Sequence, residues 1–471
     1  MIPNIYWSEK TREKNPFLHD RNQRPLTITL HNPSLQNLSD IDKDAIEAIY
    51  ELSSLDYFDL LDFEGKRARQ IKIQSMNTRN WNTTAEIIDL NGDVECNFGG
   101  TLIRSLNQRE QFFDGVRITS NLQCNYNDAF GCLSLHLMLN RDIFVTLSPD
   151  LIDSRVQRET YNVFTPVEAA RLIGLLLRSK GNWTLRKYSD GAFLIDRSLF
   201  YIHLMKYMLP MHANYHRVDF EQLLEEELIE NLNQSFWTKC THALQAFDEI
   251  RRNYLLPQNN LTREDLLYHF NYLTLLLSGA LDTQAAIVKE CLNINIFESK
   301  INFRKDEFLN EISKKGYTDL WDVLTSEKNK SLFKMLNAIR NSIHTTGLSP
   351  YGLINMNRPE TSLSEIPQKI GIKLMEYAQN IGGSKEWGIF REDYMLYNAN
   401  TEKEKLTFKI STNPYIFANK LISEIFPFFD VFYETLTNSL LKNGYRLKPP
   451  FEIPKGLIND DKYLKRIFVL Y

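Results

Sequence analysis

Apolar residues along this chain follow two different rhythms. Up to about residue 215 they come in short alternating runs closed by turn residues, the period-2 pattern of half-buried strands. RPLTITLHN (24–32) and DIFVTL (142–147) are strands of this kind. TAEIIDLNGDVECNF (84–98) sets Asn91-Gly92 between two β-prone runs, which predicts a two-residue hairpin turn with positive φ at both turn residues. Residues 165–181 have the punctuation of a helix, with Thr165 as N-cap, Pro166 in the first turn and Gly181 beyond the end.

From about Phe220 the spacing becomes helical. Helices are predicted over 220–255, 263–291 and 326–346. The second is apolar almost all round between Leu266 and Val288, which predicts the central helix of a bundle. Residues 349–411 break the pattern with a helix at about 367–381 and strand-like pieces WGIF, YMLYN and KLTFKI. Helix resumes at Asn413-Pro414, a cap followed by proline, and runs to Lys442 with Gly444 just past it. Pro427 is expected to kink it. The predicted fold is an α+β domain over 1–215, then an all-α bundle over 216–445 interrupted by a small α/β insertion at 349–411. An irregular tail follows over 446–471.

Composition narrows the function classes. At 471 residues the chain is long enough for two or three compact units, and 43% hydrophobic content excludes a mainly disordered chain. The formal net charge of −4 supplies no global field for nucleic acid, so any such binding needs a local patch. The first residues turn polar without an apolar core, so no secretory signal is expected. The run Phe270–Leu281, broken by Asn271, Thr274 and Ser278, reads as a buried helix rather than a membrane span. Cys96, Cys124, Cys132, Cys240 and Cys291 show no metal spacing and are expected as reduced thiols of a cytoplasmic protein. Without a Walker motif, GxGxxG or nucleophile elbow, neither an NTPase nor a dinucleotide enzyme is expected, and no cofactor is implied.

The candidate chemistry sits in LNAIRNSIHTTGL (336–348). Placed about 100° apart around a helix, Leu332, Met335, Leu336, Ile339 and Ile343 form one packing stripe. Arg340 and His344 fall together on its shoulder, beside Phe333 and Asn337, while Asn341 points further away. Gly347 is expected to end the helix. An Arg beside a His suits a phosphodiester: the guanidinium offers fixed donors matched to phosphate oxygens, and the imidazole exchanges a proton near neutral pH. In RNA the adjacent 2′-OH is a built-in nucleophile, so acid–base help and charge stabilisation suffice without a metal. The residues alone leave a second reading open, because Arg and His near a helix C-terminus also complement the helix dipole.

The stretch resembles the signature of the HEPN superfamily, helical domains whose active members are mostly metal-independent ribonucleases. Their Arg, polar residue and His correspond to Arg340, Asn341 and His344. The helix FNYLTLLLSGALDTQAAIV is also similar, leading through Ser278, Gly279 and Ala280 to Asp282, an acidic position that in many members faces the Arg–His site. The resemblance covers about 217–345 and 413–442. It implies RNA as substrate, Asp282 and Asn337 as supporting residues, and a homodimer in which two Arg–His helices meet. Architectures of this kind are similar to antiviral-defence or abortive-infection toxins, with the N-terminal domain sensing a trigger. Three residues separate Arg340 from His344, where four to six are usual, and Thr345 occupies the orthodox position. Either His344 acts as acid–base, or the domain is a non-cleaving dimerisation or RNA-binding scaffold. Lys328, Lys330 and Lys334 are a candidate basic footprint for RNA, or simply a solvated helix start.

Other groupings have plainer readings. His212 and His216, with His203 upstream and Glu225–Glu227 downstream, read as a solvated hinge rather than a metal site. Asp89, Asn91, Asp93 and Glu95 fit a hairpin turn better than a calcium loop. His269 reads as a satisfied core or interface residue. Asp282, polar in an apolar setting, must have a partner, and Arg340 is the obvious one.

Overall fold

The computed structural model describes residues 15–18, 24–63, 65, 67–77, 82–101, 129–153, 158, 161–188, 191–220, 226–257, 259–345, 348–351, 363–398, 403–449 and 464–471. The chain divides into two compact units, Met1–Arg197 with Gly456–Tyr471, and Ser198–Lys455. The layout is an α+β first unit followed by a mostly helical second one.

The first unit is built on a seven-stranded mixed sheet of β1 (Leu26–His31), β2 (Phe58–Phe63), β3 (Arg69–Asn77), β4 (Asn82–Ile88), β5 (Val94–Thr101), β6 (Ile143–Val145) and β7 (Val163–Phe164). The spatial order is β5-β4-β3-β2-β1-β6-β7. The five strands β3-β2-β1-β6-β7 are mutually parallel, and β4 and β5 extend that edge antiparallel. β1 is buried on both faces apart from half-buried Thr27, as expected for a central parallel strand. The helices are α1 (Asp40–Leu52), α2 (Ala129–Met138), α3 (Pro149–Ile152) and α4 (Pro166–Ser179). α4 starts with a capping box: Thr165 accepts from the Glu168 amide while Glu168 reaches back to the Thr165 amide. A hairpin of β8 (Thr184–Tyr188) and β9 (Gly191–Leu194) completes this part.

The β4–β5 turn differs from the expected two-residue form. Positive φ at this turn is confined to Gly92 (φ 93°), and the loop closes between the Asp89 amide and the Asp93 carbonyl at 2.9 Å. The Asp89 carboxylate accepts from the amides of Asn91 and Asp93, which stabilises a longer turn with the glycine in the left-handed position.

The second unit begins with α5 (Arg197–Met208) and α6 (Pro210–Tyr215). The boundary therefore lies upstream of residue 215, because both short helices dock on the bundle: Tyr201 donates to Asp248 (2.8 Å) and the Met211 amide to Asp430 (2.8 Å). The next helices are the long α7 (Glu226–Leu255) and α8 (Asn260–Cys291), the short α9 (Asp306–Lys314) and α10 (Thr318–Thr325), and then α11 (Glu327–Thr345). The insertion folds as a four-stranded antiparallel sheet, β10 (Ser349–Tyr351), β11 (Leu363–Ile366), β12 (Ile389–Asn398) and β13 (Lys403–Thr412), in the order β10-β11-β13-β12. It carries α12 (Gln368–Gln379). WGIF and YMLYN contribute to one strand, β12, rather than two.

α13 (Pro414–Lys442) closes the bundle, with Asn413 accepting from the amides of Tyr415 and Ile416. It runs through Pro427 as one helix. Its aromatic face, including Phe428, Phe429, Phe432 and Tyr433, forms the centre of the core. α8 is less enclosed than its composition suggests: Tyr268 and Tyr272 are 66% and 40% exposed, leaving one strip open. The C-terminal tail is not wholly irregular. Val218 pairs with Leu447, and α14 (Arg466–Leu470) is buried in the first unit, where Arg178 donates to the Leu470 carbonyl. No described helix is long and apolar enough to cross a membrane.

Candidate functional site

The site grows from the packing of α11. Leu332, Phe333, Met335, Leu336 and Ile339 are each at most 1% exposed, and burying each side chain contributes about 1.5–3 kcal/mol. That apolar anchorage fixes the helix rotation, and with it the direction in which Arg340 leaves the backbone. The stripe ends differently from the expected pattern, because Ser342 is fully buried and Ile343 only half-buried. In the last turn a small polar residue, rather than the isoleucine, faces the packed side.

Arg340 crosses to α8. Its Nη1 donates to Asp282 Oδ2 at 3.0 Å and lies 3.5 Å from Ser278 Oγ. Asp282 thus has the partner its apolar setting demands, and the pair is about one-third exposed on each side. The other carboxylate oxygen is taken from a different element. In the turn before α9, Asn302 Nδ2 donates to Asp282 Oδ1 at 2.8 Å, and Arg304 Nη2 lies 3.6 Å from the same oxygen.

Why this turn sits there is local chemistry. Asn302 Oδ1 accepts the Arg304 amide at 2.9 Å, and the Lys305 amide closes on the Asn302 carbonyl at 3.0 Å. Between Asn302 and Arg304, Phe303 is 4% exposed and packs against Phe308, Phe333 and Phe432. The buried ring pins the turn and the flanking polar side chains reach Asp282. Burial pulls the Arg304 guanidinium below its ordinary value; Asp282 opposes that and the nearby Arg340 adds to it.

A third cation lies alongside. Lys239 of α7 donates to Thr283 Oγ1 (2.8 Å) and Ser235 Oγ (2.6 Å), and burial lowers its pKa while Cys240 and then Asp282 counter. Its stem passes over Gly279, where an added Cβ would stand 3.3 Å from Lys239 Cε. The Lys239 stem is what an added side chain at Gly279 would meet first.

His344 is exposed one turn beyond Arg340, about 6 Å along the axis, and no described residue bonds to its ring. Asn337 is half-buried and Asn341, further round α11, is exposed. The Thr345 side chain and Gly347 lie outside the described residues. Two of the three lysines have contacts of their own: Lys328 pairs with Glu424 of α13 at 2.7 Å, and Lys334 lies 6.0 Å from the Tyr377 ring of α12. Lys330 is half-buried. α12 docks on the first half of α11, where Asn380 donates to Glu327 and Ser331.

Arg304, Asn302 and Lys239 were invisible to helix spacing because they come from a turn and a different helix. The faint signal was Asn302-Phe303-Arg304, a turn former beside a large aromatic and a cation.

His212 is a correction. It is 1% exposed, ringed by Trp237, Tyr433, Phe236 and Tyr215, and burial drives its pKa well below 6.5. It is a neutral core side chain, not a solvated hinge. Among the described residues no group of three His, Cys, Asp or Glu side chains could hold a metal ion. His269 is half-buried beside Tyr268, while Cys132, Cys240 and Cys291 are buried and not disulfide-bonded. The Cys96 side chain, Cys124 and Glu225 lie outside the described residues.

Comparison of the chain with known protein families, with curated proteins and with solved structures finds no match.

Proposed function

We propose that the helical unit is a HEPN-type endoribonuclease that cleaves RNA without a metal. The observation that carries this reading is the Arg340–Asp282 ion pair beside an exposed His344 on the same helix. Asp282 holds the guanidinium on the solvent-reachable shoulder of α11, where Arg340 receives a scissile phosphate. His344 takes the proton from the ribose 2′-OH; the 2′-oxygen attacks phosphorus, the P–O5′ bond breaks, and the 5′-oxygen leaves with a proton. The products are a 2′,3′-cyclic phosphate and a 5′-OH. Arg340 offsets the charge that builds on the non-bridging oxygens. Asn337 stands beside Arg340 and His344 on the shoulder, and Asn341 lies further round the helix. A second copy of the chain, brought together through this face, supplies the other acid–base histidine. The N-terminal unit senses a trigger, and the whole acts as a cytoplasmic defence or abortive-infection toxin.

The second reading is a non-cleaving dimerisation or RNA-binding scaffold of the same family. It draws on the His344 ring, which no described residue orients. Incubating the full chain with total RNA in EDTA beside His344→Ala decides between them. Fragmentation by the parent and not the variant is expected; identical RNA profiles sink the nuclease reading.

A further inference from the structure

The Asp282 neighbourhood holds far more hydrogen-bond donors than acceptors. A guanidinium carries five N–H groups, so Arg340 and Arg304 bring ten to one carboxylate. That carboxylate already accepts from Asn302 at 2.8 Å. Arg340 uses only Nη1 on described groups, and Arg304 approaches Asp282 at 3.6 Å, an ion-pair distance too long for a good hydrogen bond. Lys239, on the hydroxyls of Thr283 and Ser235, adds a positive charge without a carboxylate of its own in contact. Three cations thus surround one anion.

Burying a guanidinium is costly unless an anion compensates it. Arg304 is nonetheless 21% exposed at the side chain, fixed by the Phe303 anchor and the Asn302 turn, and directed at the carboxylate that Arg340 shares. One planar fork bonded to a carboxylate and a second at ion-pair distance from it, both still reaching solvent, form a site for a tetrahedral dianion or a phosphodiester.

We infer that Arg304 and Arg340 form a two-guanidinium clamp, oriented by Asp282, for the phosphodiester backbone of single-stranded RNA. The inference rests on the reading above for the identity of the nucleic acid, and adds Arg304 as a binding residue. Asp282 spaces the two arginines rather than neutralising them, and Asn302 keeps the turn in register with it. One fork takes one phosphate oxygen pair, and the second reaches the same phosphate or its neighbour along the strand.

The test is binding of the full chain to a short 2′-O-methyl oligoribonucleotide, which lacks the nucleophile and stays intact, over a series of salt concentrations. Arg304→Gln keeps an amide for Asp282 and removes the charge. It is expected to weaken binding about tenfold and to lower the log K against log salt slope by about 0.7, one single-strand phosphate contact. Arg304→Lys is expected to retain the slope while losing part of the affinity, since it keeps charge but not the fork. Should Arg304→Gln fail to fold by thermal melting, Arg304→Ala replaces it. A slope equal to the parent's in a folded charge-removing variant, or no binding by the parent, overturns the clamp. Cleavage of unmodified RNA by His344→Ala is scored separately. Loss of slope in Arg304→Gln with cleavage unaffected by His344→Ala keeps the clamp and removes the nuclease reading, whereas an unchanged slope with cleavage abolished does the reverse.

Discussion

Arg340 Nη1 and Asp282 Oδ2 meet at 3.0 Å across fifty-eight residues of sequence, joining α11 to α8. The contact is part-exposed, so its electrostatic worth is modest. Its larger role is directional, because it sets where the guanidinium stands.

Asp282→Ala removes the shared carboxylate and leaves Arg340 and Arg304 facing each other. The expected loss of stability is about 1 kcal/mol at low salt, since a pair one-third exposed is screened. Urea unfolding of the full chain measures it. A loss that stays constant from low to high salt would show that repulsion between the two arginines is not its source.

Phe303→Ala takes away the anchor under the Asn302–Arg304 turn. Truncating a buried Phe costs about 3 kcal/mol or more, here divided between a cavity beside Phe333 and Phe432 and a loosened turn. Phe303→Leu should recover most of the stability. An exposed Phe303, with no effect on the thermal midpoint, is the outcome that contradicts this account.

Two helical glycines should respond in opposite directions. At Gly279 an added methyl meets only the flexible Lys239 stem at 3.3 Å, so Gly279→Ala gains helix propensity, up to about 1 kcal/mol. At Gly371 the methyl would come within 2.7 Å of Ile410 Cγ2, where β13 backs α12, so Gly371→Ala costs about 1–3 kcal/mol. Paired thermal melts of the two variants check the signs.

Acid should weaken the first unit through His136. Its ring is fully buried with Nδ1 on Thr29 Oγ1 at 3.0 Å, and burial lowers its pKa to about 3. Because the folded value lies below the ordinary 6.5, the neutral ring's contribution is intact above pH 6.5 and is lost as pH falls toward 3. At pH 5 the loss is about 2 kcal/mol. Asp62 acts oppositely: burial raises it to about 6, so its contribution grows as pH falls from 6 toward 4. Comparing the parent with His136→Phe isolates the histidine, since Thr29 still accepts from Arg141. Identical pH profiles for the two proteins would refute the assignment.

Local rules went a long way here. Capping residues such as Thr165 and Asn413 announce their helices because the competition they settle, between backbone amides and a side-chain oxygen, is decided within four residues. The Arg340–His344 shoulder follows equally from helical period, and an aspartate in an apolar helix implies a partner before any fold is known. The switch from strand to helix near residue 215 likewise separated the two architectures, though not their boundary.

What the tertiary structure decided is everything that depends on distant packing. His212 looks solvated beside a proline and becomes core because α6 docks under Tyr433, more than two hundred residues away in sequence. Lys328 pairs with Glu424 because α13 lies against α11. Asn302 and Arg304 have no periodicity to betray them; a turn acquires direction only when its aromatic residue finds a hole, and Phe303 finds one between α11 and α13. Sequence period places a side chain on a face of its own element. Which cations then share Asp282 is set by long-range closure of the bundle, and no local pattern encodes it.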